Sequence, residues 1–256
     1  MSLTRAVLRI AAPVPKLEAF NRYLFIGPHP DDIEIGAGAT AARFASEGKQ
    51  ICFLICIDGR YGSQNCPDLS EEALIQRRQQ EALASAHRLG ISDVRFLGLC
   101  DGGFYDAQAL TRGIAGVISD FQPDVIFAPD PCVDSECHAD HLNVGNAARK
   151  LAYFANYRDI MQHYGANSAP VQALAYYMTA KPNRYINTSG FVSAQMDAIF
   201  QEHQSQFSPH SSEGKAIRLY LNLRSVDFGI RCLARRAEGF RVLGTTQMHC
   251  LPEAGL

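Results

Sequence analysis

Tyr23 to Glu34 reads YLFIGPHPDDIE, and the reading of this stretch decides the fold. Tyr23-Leu24-Phe25-Ile26 is an apolar run of strand-forming residues that stops at Gly27-Pro28 and delivers His29, Asp31 and Asp32 within one short turn. An imidazole and a carboxylate at a strand end can hold a borderline ion such as zinc, while the adjacent carboxylate stays free to handle protons. The residues alone also fit a plainer account, in which the acidic turn caps the following helix.

Working outward, small residues lead the helical pattern Gly36 to Glu47, and Gln50 to Ile57 is a near-continuous apolar run suited to a strand covered on both faces. Ser70 is placed to cap a helix that ends before Gly90, Val94 to Leu97 forms a short strand, and a helix over 109–121 precedes the strand Val125 to Ala128. A helix beyond Asn143 to about Tyr157, a strand over Val171 to Thr179, a helix over Phe191 to Gln204 and a long helix over Glu213 to Ala237 complete the pattern. Alternating strands and helices imply an α/β fold: a Rossmann-like, mostly parallel sheet with helices on both faces, in one domain over residues 1–256. Ligands of such sheets bind outside the carboxyl ends of the strands. The turn at His29, the loop from Asp58, Asp101 and the segment Asp130 to His141 should therefore share one edge.

That edge joins the opening turn to CVDSECHADHLNVG, where His138 and His141 stand three apart at a helix start with Asp140 between them. With His29 and an aspartate this turn supplies a two-histidine, one-carboxylate set that leaves room for water, and a metal there lowers the pKa of bound water to about 7. Two rival readings are weaker. Cys132, Cys137, His138 and His141 could form a closed zinc site, but their spacing is not the usual close cysteine pair. Gly36 to Ala41 fits G-x-G-x-x-A, but the carboxylates between strand and glycines would repel a pyrophosphate.

A net charge of -2 over 256 residues and a pI near 6.4 provide no general attraction for nucleic acid or acidic membranes. No apolar run reaches the roughly 18 residues of a membrane span, and no export signal is evident, so a cytoplasmic protein is expected. Most of the eight cysteines should be reduced core residues. His87, His163, His210 and His249 have no partner pattern, and His203 fits either a pocket lining or an exposed helix face.

HPDDIEIGAGAT at 29–40, RRQQEALASAHRLG at 77–90, LGLCDG at 97–102, HADHLNVG at 138–145 and HQSQ at 203–206 together resemble the LmbE-like, or PIG-L, zinc-dependent N-deacetylases. The resemblance covers most of the chain. It implies that His29, Asp32 and His141 bind one Zn2+ per chain, other divalent ions being compatible, and that Asp31 is the general base. It further implies that His138 stabilises the oxyanion and helps protonate the leaving amine, with Asp140 orienting it, and that Arg78 and Asp101 bind the sugar. The implied partner is a small-molecule amino-sugar substrate; association with copies of itself stays open. Cys100 stands where the family commonly has proline, and HADH replaces the frequent HPDH, with no ligand position lost. The alternatives are an amidase acting on a larger thiol or sugar conjugate and a non-catalytic sugar- or nucleotide-binding module. Arg60 and Tyr61 could touch a sugar or be ordinary loop residues.

Overall fold

The structure, a computed structural model, describes residues 3–62, 65–208 and 211–249; Ser63 and Gln64 of the loop after the second strand, together with His210, lie outside the described residues. Helix α1 (Leu3–Ala11) precedes β1 (Arg22–Gly27), α2 (Asp32–Ser46), β2 (Gln50–Ile57), α3 (Glu71–Arg88), β3 (Asp93–Leu99), α4 (Ala107–Phe121) and β4 (Val125–Pro129). Then come α5 (Ala139–Phe154), α6 (Arg158–His163), β5 (Ala173–Tyr177), β6 (Arg184–Asn187), α7 (Val192–Asp197) with a π-helical turn (Ala198–Glu202), α8 (Ser212–Arg231) and β7 (Ala237–Gly244). The seven strands form one mixed sheet in the order β3-β2-β1-β4-β5-β7-β6. β1 to β5 run parallel, while β7 is antiparallel to both β5 and β6.

The two-residue period of β1 explains the layers. Leu24 and Ile26 join Cys52, Leu54 and Ile126 beneath α4 and α5, whereas Tyr23 and Phe25 join Phe53, Phe127 and Tyr177 beneath α2 and α3. Both faces of the central strands are thus dry, which is why their sequences run apolar without interruption. Ser70 caps α3 as the sequence suggests, its Oγ accepting the Ala73 N–H at 3.3 Å.

Several boundaries differ from expectation for identifiable reasons. The helical pattern over Glu213 to Ala237 ends at Arg231, where Leu233 turns to a φ of 58° and the chain re-enters as β7. β7 itself alternates, with Phe240 and Val242 joining the Tyr23 side of the core. α5 begins at Ala139 instead of beyond Asn143 and closes at Phe154, leaving α6 as a separate short helix. Among the seven described cysteines only Cys52 and Cys56 are buried, while Cys132 and Cys137 are exposed. No described helix is long and apolar enough to cross a membrane.

Candidate active site

β1 sits between β2 and β4, where the strand order reverses, so the crossover chains depart to opposite faces and leave a crevice at its carboxyl end. The loops after β1, β3 and β4 fill that crevice with His29, Asp32, Asp101, His138, Asp140 and His141, whose ligating atoms fall into two overlapping groups sharing His29.

The first group is His29, Asp32 and His141. Asp32 Oδ2 lies 3.2 Å from His29 Nδ1 and 3.4 Å from His141 Nε2. Ligands of a tetrahedral ion with bonds of 2.0–2.1 Å stand about 3.3 Å apart, so these spacings fit zinc with room for a further ligand. Two imidazoles and one carboxylate are also the donor types of an open, catalytic zinc position. Burial works against charge on Asp32, yet His141 and His29 hold its carboxyl well below the usual range. Burial likewise opposes a charged His141, which Asp32 nonetheless raises to about 9. His141 Nδ1 lies 3.2 Å from Glu136 Oε2, outside hydrogen-bond geometry.

The second group, His29, Asp101, His138 and Asp140, is already satisfied by hydrogen bonds. Fully buried Asp140 accepts the N–H groups of Gly102 and Gly103 at 2.8 and 2.9 Å, and its Oδ2 meets His29 Nε2 at 3.2 Å. Asp101 Oδ1 lies 3.2 Å from the same nitrogen. Two carboxylates behind the ring fix which nitrogen faces Asp32, an arrangement that orients metal-binding histidines. Asp140 therefore stands behind His29 more than behind His138. The Asp140 carboxylate is 3.7 Å from His138 Nδ1, and that nitrogen instead accepts the backbone N–H of Asp140 at 3.3 Å, capping α5. The His138 side chain is 47% exposed, its ring centroid 4.8 Å from that of His29 and 5.1 Å from that of His141, so it faces the mouth.

Asp31 points elsewhere. Its φ of 132° lies in a region that side chains other than glycine rarely adopt, and the turn aims its carboxylate away from Asp32's partners. Arg78 Nη2 meets Asp31 Oδ2 at 3.2 Å. Burial pushes the Asp31 carboxyl up to about 6, against the pull of Arg78 and with a push from Asp32. Arg78, which the resemblance sends toward the sugar, is 3% exposed and also donates to Gly59 O at 2.8 Å and Pro30 O at 3.1 Å. In this arrangement it braces Asp31. Arg60 is similarly committed, its Nη2 2.6 Å from Asp58 Oδ2.

Sequence reasoning missed the pair behind Asp31. His203 is fully buried, not on an exposed helix face, with Nε2 3.1 Å from Glu34 Oε1. Nothing local signals that contact, because the partners are 169 residues apart. Glu136 was also unmarked; its carboxylate accepts the His138 N–H at 2.8 Å.

The chain is similar to known proteins in sequence and in fold. Residues 24–152, which hold every site residue named above except His203, match the family described as PIG-L: GlcNAc-PI de-N-acetylase. Diacetylchitobiose deacetylase of Thermococcus kodakarensis is 29% identical over 245 residues, 93% of this chain and 90% of that protein. The solved N,N'-diacetylchitobiose deacetylase of Pyrococcus horikoshii, complexed with its inhibitor MPG, superposes with a TM-score of 0.83 at 25% identity, over 98% of this chain and 97% of that one. A 1D-myo-inositol 2-acetamido-2-deoxy-alpha-D-glucopyranoside deacetylase of Kineococcus radiotolerans is 36% identical over 126 residues, which span 47% of this chain and only 35% of that relative.

Proposed function

The chain belongs to the PIG-L de-N-acetylase family, and from that premise we propose that it hydrolyses the acetamido group of an N-acetylglucosamine-type sugar or conjugate, releasing acetate and a free amine. The observation that carries the reading is the divergence of two adjacent aspartates: Asp32 faces His29 and His141, while Asp31 faces Arg78.

His29, Asp32 and His141 would hold the ion, zinc by donor type. When bound, a zinc ion there supplies Lewis acidity toward the amide carbonyl and lowers the pKa of water. Asp31 takes the proton of the attacking water. A carboxyl near 6 suits that task, being largely ionised at neutral pH yet basic enough to accept. Arg78 and the strained turn hold the carboxylate in place before substrate arrives. His138 accepts the Asp140 N–H through Nδ1, so its Nε2 is the nitrogen left to donate toward the oxyanion and then the departing amine. Asp140 and Asp101 keep the His29 ring from rotating. Asp101 also lies at the crevice, where it can accept from a sugar hydroxyl.

The test is acetate release across a panel of N-acetylated sugars and unrelated acyl amides. N-acetylglucosamine derivatives substituted at the anomeric carbon should release acetate, and free N-acetylglucosamine should be a poorer substrate because it forgoes remote binding energy. Turnover of an unrelated acyl amide with no acetate from any sugar would remove the amino-sugar class.

A further inference from the structure

Tyr61, on the loop after β2, and Phe104, on the loop after β3, are large aromatic residues left open to solvent, 53% and 73% exposed, and no step of the proposed hydrolysis uses them. Their ring centroids stand 6.5 Å apart at 86°, so the two rings meet nearly at right angles. The two rings sit on different loops, Tyr61 after β2 and Phe104 after β3, and both loops meet at Asp101, a partner of His29. Phe104 follows Asp101-Gly102-Gly103, in which Asp101 meets His29 while the two glycine N–H groups meet Asp140. Gly102 has a φ of 79°, and a Cβ added there would come within 3.1 Å of the Phe104 ring and 3.9 Å of the Tyr61 ring. The Tyr61 N–H donates to Asp101 Oδ2 at 3.3 Å, and Arg60 beside it is pinned to Asp58. A short tether of backbone thus links each ring to a carboxylate of the site.

We infer that Tyr61 and Phe104 form a stacking platform for a second pyranose ring, joined to the acetamido sugar whose acetyl group lies at the His29, Asp32 and His141 set. The inference rests on the amino-sugar reading. A pyranose has an apolar C–H face and hydroxyls at its rim, so it covers aromatic carbon without burying an unpaired polar group. Two rings set nearly at right angles suit a cyclic polyol better than a thin acyl chain, which would cover only one of them. Because the Tyr61, Gly102 and Gly103 N–H groups are already hydrogen-bonded, the backbone that carries each ring is held before binding, and the contact area converts more fully to affinity. The neighbouring groups are polar too: Asp101 is within one turn, so hydroxyls at the ring edge have an acceptor near the crevice.

The experiment compares N,N'-diacetylchitobiose with N-acetylglucosamine on the zinc-loaded enzyme. In the double variant Tyr61→Ala, Phe104→Ala, the ratio of kcat/KM for disaccharide over monosaccharide should fall roughly tenfold, mainly through KM of the disaccharide. The variant Tyr61→Ala, Phe104→Trp should recover much of the ratio lost in the double alanine variant, since it returns an aromatic face. Saturation-transfer NMR on the metal-stripped protein supplies a second readout: irradiating aromatic protons should mark the C–H groups of the ring remote from the reacting acetamide, and the double variant should lose that signal. An unchanged ratio, or an unchanged transfer pattern, would overturn the platform. Equal preference for an octyl glycoside and the disaccharide would also overturn it, in favour of a general apolar contact. Failure of the underlying reading is separate: wild-type enzyme releasing acetate from neither sugar would sink the amino-sugar assignment, with the transfer pattern still deciding whether the rings hold a saccharide.

Discussion

Asp31 and Asp32 are covalent neighbours, yet one carboxylate meets an arginine and the other two imidazoles, because Asp31 holds a φ of 132°. A conformation of that kind costs on the order of 1–3 kcal/mol and persists only where surrounding contacts over-determine it. Here Arg78 on one side and the start of α2 on the other do so. The same scale explains Asp140. Its two backbone bonds and its contact with His29 Nε2 make it a clamp on a proposed ligand, so Asp140→Asn, which presents an NH2 group to an N–H or to the ring, should weaken zinc binding by roughly ten- to a hundredfold. Competition with a chromogenic chelator measures this; unaltered affinity would leave Asp140 with holding the Gly102–Gly103 turn alone. The sequence was informative about which residues converge and silent about which way they face. Spacing placed His29, Asp31, Asp32, His138, Asp140 and His141 at one edge, but the two aspartates are separable only through a backbone turn that no residue type announces. Arg78 is a similar case: its position was legible, its burial behind Asp31 was not.

The elements reach the site through close packing that a single methyl group tests. Gly36 on α2 lies so near β5 that an added Cβ would sit 2.2 Å from Cδ2 of Tyr177, a fully buried ring whose hydroxyl donates to Ile26 O at 2.8 Å. In an open helix Gly→Ala gains up to about 1 kcal/mol. Overpacking a core costs about 1–3 kcal/mol, and displacing the ring also breaks its bond to the end of β1. Gly36→Ala should therefore be a net loss, read as a lower denaturant midpoint; a midpoint unchanged or raised would mean that α2 shifts freely on the sheet. Long apolar runs made β1, β2, β4 and β5 recognisable, since strands dry on both faces need no alternation. β6 and β7 escaped because β6 is only four residues long and β7 mixes buried Glu238 with apolar positions. Glu238 is held by the N–H groups of Ala39 and Thr40 and by Gln195 Nε2, partners that only the folded chain supplies.

For the whole molecule, the sheet order places β1 at the reversal point, and the site follows from that position. Residues from the first half of the chain supply every proposed ligand except His141, which arrives on α5 after β4. The central claim is a division of labour at that point: Asp32 binds the ion with His29 and His141, and Asp31 moves the proton. Zinc content per chain, determined for wild type, Asp31→Asn and Asp32→Ala beside acetate release from the same samples, tests it most directly. The account predicts about one zinc per chain in wild type and in Asp31→Asn, with Asp31→Asn slower by roughly a hundredfold to ten-thousandfold, and loss of the ion in Asp32→Ala. An Asp31→Asn protein stripped of zinc beside an Asp32→Ala protein that keeps it would contradict the account.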